Sequence, residues 1–274
     1  MRRETLRRLA EQSKLTVMVL EARAAAAHAG SMKLSGNTVL ITGGATGIGF
    51  ALALRLQRAG STVVVCGRRQ GPLDEARAHG LHVIACDASD EEQRRSLAER
   101  VVKDYPTLNV LVNNAGIQQR PPKLSEPQDW AAHAAEISIN LAAPMHLSML
   151  LLPHLLRADA PVIVNVSSGL AFAPLASMPT YCATKAALHS FTQSLRWQLK
   201  DTPVSVVEIV PPAVKTDLGG KGLHDFGVPL DIWADDAVAH LAVGDLEFGY
   251  QTSESRRLAS RQELDATFAA MNSR

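Results

Sequence analysis

The sequence predicts an α/β fold, a doubly wound parallel sheet in a single domain. Three observations predict it. From Leu34 onward, short continuous apolar runs alternate with longer amphipathic stretches. Strands buried on both faces need the former, and helices covering a sheet need the latter. A glycine turn, Thr42-Gly-Gly-Ala-Thr-Gly-Ile-Gly49, joins the first apolar run to the first helical stretch. The other motifs fall just past a strand, on the carboxyl edge where such sheets hold ligands.

Composition sets the frame. The chain has 274 residues, 46% hydrophobic and 20% charged, enough for one large domain with a substantial core. A net charge of +1 implies no polyanion as partner, so no nucleic acid is expected. Cys66, Cys86 and Cys182 are spaced too widely for a zinc site or a disulfide framework, which fits a reducing, cytoplasmic setting. No apolar run approaches the roughly 20 residues that span a bilayer, so no membrane partner is expected. The nine histidines show no metal-ligand spacing, and no metal is expected.

Residues 1–31 differ from the rest. Arg2, Arg3, Arg7 and Arg8 precede Leu15–Leu20, and Glu21 and Arg23 interrupt the apolar stretch that a secretory signal would need. Met32 offers a second start, after Gly30 and Ser31. A cloning or annotation extension outside the fold is the preferred reading; a native amphipathic helix is the alternative. The main domain then covers 32–274.

Thr38–Ile41 reads as the first strand and Phe50–Ala59 as the first helix. Gly43 takes backbone angles closed to other residues. Gly47 leaves room for a pyrophosphate, and Gly49 lets helix and strand pack closely. The helix start, with Ala45, Thr46 and Ile48 around it, offers N–H groups to phosphates. Further strands are expected at Ser61–Cys66, Leu81–Cys86, Asn109–Val112, Pro161–Val166 and Val204–Val210. Helices are expected at Leu73–His79, Asp90–Val102, Trp130–Leu156 and Tyr181–Leu199.

After the second strand, Gly67 stands where NAD-specific turns carry an acid, and Arg68 follows. Arginine attracts a 2′-phosphate, which favours NADP, with NAD as the alternative. A solvated arginine pair is the plainer reading. Asp87, followed by Ala88, is placed either to meet an adenine ring or to cap the next helix. Asn113-Asn114-Ala115-Gly116 lets backbone lie against a flat cofactor. Asn140 sits inside the long helix, where asparagine is unfavourable. It can disturb the helix there and turn its carbonyl toward a water. Ser168 ends the fifth strand region. Tyr181 and Lys185 share a helix face. An ammonium beside a phenol lowers its pKa from about 10 toward neutrality, making it a usable acid/base. The serine hydroxyl can hydrogen-bond a substrate oxygen as charge develops.

Together these motifs are ordered and spaced as in a known family. Over Leu34–Asn272 the chain resembles the classical short-chain dehydrogenase/reductases, on Thr42–Gly49, Asn113–Gly116, Asn140, Ser168, Tyr181, Lys185 and Pro211–Thr216. Its tail is similar to that of the DltE-like subgroup of bacterial oxidoreductases. The resemblance implies a Rossmann fold and a nicotinamide cofactor, and hydride transfer to or from a carbonyl or secondary alcohol. It implies that Tyr181 moves the proton and Ser168 orients the substrate oxygen. Lys185 would tune the phenol and bind the ribose, and Asn140 would hold a water. Pro211, Val214 and Thr216 would meet the nicotinamide and a neighbouring phosphate. A small-molecule substrate and a homodimer or homotetramer are also implied, the dimer burying the two long helices.

Two departures stand out. Pro212 replaces the family's glycine, which should stiffen the loop. The usual closing strand is missing, and Leu246–Tyr250 with a helix at Ser260–Met271 stands in its place. Asp217–Ala234, rich in glycine and holding Phe226 and Trp233, reads as a mobile lid. Gln118, Phe172 and Met178 are expected to flank the pocket, and Cys182 to be a small core residue. An epimerase or dehydratase working through a keto intermediate is the alternative outcome at the same site. A non-catalytic nucleotide-binding scaffold is the third.

Overall fold

Among the described residues, seven parallel strands form one sheet in the order β3-β2-β1-β4-β5-β6-β7. The computed structural model describes residues 32–273, so the reading of residues 1–31 lies outside the described residues. The strands are β1 (Thr38–Thr42), β2 (Thr62–Gly67), β3 (His82–Ala85), β4 (Leu108–Asn113), β5 (Val162–Val166), β6 (Ser205–Val210) and β7 (Glu247–Gly249). Valine and isoleucine dominate them because branched side chains pack well on a pleated surface. The winding direction reverses between β1 and β4, and a crevice opens at that switch point.

The helices are α1 (Gly47–Arg58), α2 (Gln70–Ala78), α3 (Glu91–Asp104), α4 (Trp130–Ile137), α5 (Ala143–Leu155), α6 (Pro179–Gln198), α7 (Leu230–Val243), α8 (Thr252–Leu258) and α9 (Arg261–Asn272). They cover both faces of the sheet. Val39, Ile41, Val65 and Val112 point to one side, against Leu52 and Leu56 of α1 and Trp233 of α7. Leu40, Val64, Leu111 and Ile163 point to the other, against Leu97 of α3, Leu151 of α5 and Leu195 of α6. Alternation along each strand therefore feeds two cores, which is why the strands read as uninterrupted apolar runs.

Three expectations need correction. The closing strand is present: β7 pairs with β6 through Glu208–Glu247, Ile209–Phe248 and Val210–Gly249. It is only three residues long, and buried Phe248 anchors it without the usual glycine ending. The long helix runs from Trp130 to Leu155 as expected, and a π-helical turn at Ser138–Ala142 lies between α4 and α5. Trp130–Leu155 also reaches membrane-spanning length, at 26 residues and mean hydropathy 1.3. Its inner side is core, with Leu147, Leu151 and Leu155 buried on the sheet. The lid expectation extends too far. Residues 217–229 are turns, with Gly219 at φ +76° and Gly220 at φ +148°, but Leu230 opens α7. Trp233 and Ala234 are buried in the core.

Other boundaries shift by a few residues. α2 begins at Gln70, earlier than expected, because Pro72 falls in its first turn, where a missing N–H costs nothing. If Trp233 is core and not lid, Trp233→Ala costs about 3–5 kcal/mol of stability. A denaturation midpoint lowered accordingly checks this; a changed KM at unchanged stability would return Trp233 to the lid.

Candidate active site

The glycine turn and the asparagine motif are stitched together at the switch point. Thr42 Oγ1 accepts from the amides of Asn114 and Ala115, both at 3.0 Å. The Asn114 side chain donates to the Thr42 carbonyl at 2.9 Å. A Cβ on Gly43 would stand 2.8 Å from Ala115 Cα, and one on Gly49 would stand 2.4 Å from Asn114 Nδ2. Only glycine permits this approach. Deeper in, Asn113 donates to Asn165 at 2.9 Å and Asn165 donates to Thr192 at 2.9 Å, linking β4, β5 and α6.

The carboxyl edge opens into a cleft of about 1200 Å³. It brings together Gly43, Ala45, Thr46, Gly47, Ile48, Arg68, Asp87, Ala88, Asn114, Ala115, Gly116, Ser168, Tyr181, Lys185, Pro211, Val214 and Thr216. Gly49 lies beneath the surface as a packing residue. Asn140 is fully buried behind the wall. Gln118 and Met178 line the cleft as expected. Phe172 does not, and instead packs against His189 with ring centroids 4.7 Å apart. Cys182 is a buried core residue.

At one end of the cleft lies the start of α1, where Thr46 makes no side-chain cap. The first-turn N–H groups are thus left to an anion. Arg69 reaches across the turn to Thr46 Oγ1 at 3.4 Å, and exposed Arg68 stands 3.7 Å from Asp87. Of the two readings of Asp87, the helix cap is excluded: Asp90 accepts from the amides of Glu92 and Gln93 and caps α3. Asp87 instead accepts from the amide and hydroxyl of Ser89 at 2.9 and 2.7 Å. Burial disfavours its charge, but those bonds and Arg68 outweigh it and hold its pKa below the ordinary value. A long cleft, free helix-end amides and two guanidinium groups make a donor set that fits a dinucleotide.

At the other end, α6 and the edge of β5 converge. Tyr181 is buried, and its phenol faces the Ser168 hydroxyl, which favours the ionised phenol. Lys185 Nζ donates to the Val166 carbonyl at 2.8 Å and lies 5.7 Å from the Tyr181 ring centroid. Asn140 spends its side chain on Ile117, accepting from its amide at 2.9 Å and donating to its carbonyl at 2.8 Å. The π-helical turn that contains it is the expected local disturbance. Asn140 and Lys185 both approach Gly116: a Cβ there would stand 3.4 Å from Asn140 Oδ1 and 3.8 Å from Lys185 Nζ.

The expected acidification of the phenol is not found. Burial pushes the Tyr181 pKa well above the ordinary phenol value, against the hydrogen bond from Ser168. Burial also lowers Lys185 to about 8, opposed by the charges of Glu208 and Glu136. The same desolvation acts on both groups because each resists its charged form.

Sequence reasoning missed the support beneath these residues. Glu208 is fully buried on β6 and accepts from Ser167 Oγ at 2.5 Å. His189 Nδ1 lies 2.8 Å from the other oxygen of Glu208. His189 continues the Tyr181–Lys185 face by one more helical step, and Glu208 interrupts an apolar strand. Those were the available signals. Glu247 joins the group, with ligand atoms of all three within 4.8 Å, but Arg196 and Arg257 both lie 3.4 Å from its carboxylate. Glu136, also buried, accepts from the Gln119 amide at 3.0 Å.

The sequence profile of the short chain dehydrogenases matches residues 37–225. The chain belongs to that family. It is 45% identical over 248 residues to DltE of Bacillus subtilis, an uncharacterized oxidoreductase, covering 88% of this chain and 98% of that one. A short-chain dehydrogenase of Burkholderia cenocepacia, solved with NADP, superposes at a TM-score of 0.75 and 26% identity. It covers 86% of this chain and 99% of its own. A Sphingobium yanoikuyae short-chain dehydrogenase, solved with NADPH, gives 0.71 at 26% identity, over 86% and 93%.

The hydrogen bond to Glu208 raises the His189 pKa. Its stabilisation is complete below the ordinary histidine value, about 6.5, and fades as pH rises through the raised folded value. His189→Asn is expected to cost about 2 kcal/mol near pH 6 and less at pH 9. Chemical denaturation at both pH values checks this; an equal loss at both would detach the pair from the pH dependence.

Proposed function

We propose that this protein is an NADP-preferring oxidoreductase that moves hydride between a nicotinamide ring and a carbonyl or secondary-alcohol carbon. The observation that carries this reading is the Tyr181 hydroxyl against Ser168 in the cleft wall, with Lys185 on the same helix face. The bound nicotinamide supplies the hydride chemistry, and the protein supplies position and proton.

Each residue then has a task. Ser168 donates to the substrate oxygen and stabilises its developing charge. Tyr181 transfers its proton to that oxygen. Lys185 binds the ribose, and Asn140, meeting it at Gly116, suits a path that restores the proton from solvent. With NADPH as the bound nucleotide, reduction is the favoured direction, and the protonated Tyr181 is the form that donation requires. Alcohol oxidation would require the phenol to ionise first. The turns at 217–229 serve as the lid, since Leu218, His224 and Phe226 line the cleft.

The NADP preference rests on Gly67 in the acid position, with Arg68 and Arg69 at the nucleotide end. The NADP and NADPH held by the two solved relatives support it. A cytoplasmic homodimer belongs to the same reading. Trp130 and Trp197 are 70% and 71% exposed on the long helices, and Met149 joins them. Such apolar groups suit a helix-to-helix interface.

Tyr181→Phe is expected to leave NADPH binding intact and to lower turnover by about 10³-fold or more. Cofactor titration and steady-state rates measure both, and turnover within about tenfold of wild type removes Tyr181 from its role. Arg68→Glu should weaken NADPH by about tenfold more than NADH. Equal losses for the two nucleotides would defeat the NADP preference.

A further inference from the structure

We propose that Arg256 receives an anionic group of the substrate, a carboxylate or a phosphate, making the substrate a keto acid or a keto phosphate. This rests on the oxidoreductase reading and names the class of molecule that reading leaves open.

Arg256 lies on α8 and lines the substrate end of the cleft with Leu175, Met178 and Gln251. Its Nη1 stands 3.5 Å from where a Cβ on Gly169 would be. Gly169 directly follows Ser168, so the guanidinium lies against the backbone beside the serine assigned to the substrate oxygen. The placement is rigid. Ser253 of α8 donates to the Val210 carbonyl at 2.6 Å. The Gly249 amide donates to Glu254 at 2.8 Å. A Cβ on Gly169 would meet Ser253 Cβ at 2.9 Å, so glycine is required for α8 to dock this closely.

Among the described residues, the charge of Arg256 is uncompensated. Its sequence neighbour Arg257 pairs with Glu254 at 2.6 Å and with Glu247 at 3.4 Å. Among the described residues, no acidic side chain pairs with Arg256. It is half-buried, and burial alone lowers its pKa. A guanidinium stays charged even so, and a desolvated charge without a partner is costly. A planar anion with two oxygens is the group that the guanidinium fork matches best.

The surroundings agree. Six lysines and arginines line the cleft against two acids, Asp87 and Asp217. Arg120 stands at the rim beside His224. Gln118 and His224 are each 7% exposed, and Gln118 Oε1 and His224 Nδ1 have no hydrogen-bond partner among the described residues. Both residues line the same cleft, so buried polar groups without partners border it.

The test compares NADPH oxidation on matched pairs: 4-oxopentanoate against its methyl ester, and dihydroxyacetone phosphate against dihydroxyacetone. A general panel of neutral ketones runs beside them. One anion is expected to exceed its neutral partner by about tenfold or more in kcat/KM, and the pair that does so tells carboxylate from phosphate. Arg256→Gln should bring that ratio toward unity through KM, and Arg256→Lys should restore part of it. Reduction of neutral ketones alone, or an unchanged ratio in Arg256→Gln, overturns the inference while the oxidoreductase reading stands. Failure to oxidise NADPH with any carbonyl, charged or neutral, removes that reading and the inference with it.

Discussion

The site depends on one hydrogen bond, from the Lys185 ammonium to the Val166 carbonyl at 2.8 Å. Both partners are buried, and a bond from a charged donor contributes about 1.5–3 kcal/mol. Its geometric effect matters more. Val166 ends β5, two residues before Ser168, and Lys185 stands one helical step after Tyr181. Fixing the lysine to the strand end therefore fixes phenol to hydroxyl. The Asn113–Asn165–Thr192 chain repeats the connection one layer deeper, and Glu208 repeats it through Ser167 and His189. Three polar ties between β5 and the elements around it hold the proton donor in register with the oxygen-binding serine.

Burial then sets the chemistry. It raises the phenol and lowers the amine, so the two pKa values move apart, and each group is held toward its neutral form. Glu208 and Glu136 limit the fall of Lys185, which gives two acids remote from the reacting atoms an electrostatic part in the site. The glycine turn works by the opposite principle. It removes side chains so that backbone amides and the start of α1 remain open to phosphate. One end of the cleft is built by exclusion of water and the other by exclusion of side chains.

The parts legible in the sequence were those with a period or a fixed spacing. Apolar runs marked the strands, and the Tyr181–Lys185 interval marked a helix face. What escaped had no local signature. Asn140 signals a disturbance within Ile137–Leu141 but not its π-helical form, since Ile117 approaches Asn140 from another segment. Trp233 was grouped with the lid because glycines precede it, although Ala234 and Ala237 beside it face the core. The short β7 was invisible because three residues carry too little pattern. The phenol was misjudged because spacing shows the nearby amine but not the burial that outweighs it. Arg256 looks like any tail arginine until its neighbours are seen to pair elsewhere.

The central claim is that burial keeps Tyr181 protonated in the cofactor-free protein, the form in which it can serve as a proton donor. Ultraviolet difference titration of the protein against Tyr181→Phe follows the phenolate band of this one side chain. The account predicts no phenolate attributable to Tyr181 up to about pH 10, the ordinary phenol value. A phenolate band rising near neutrality would contradict it.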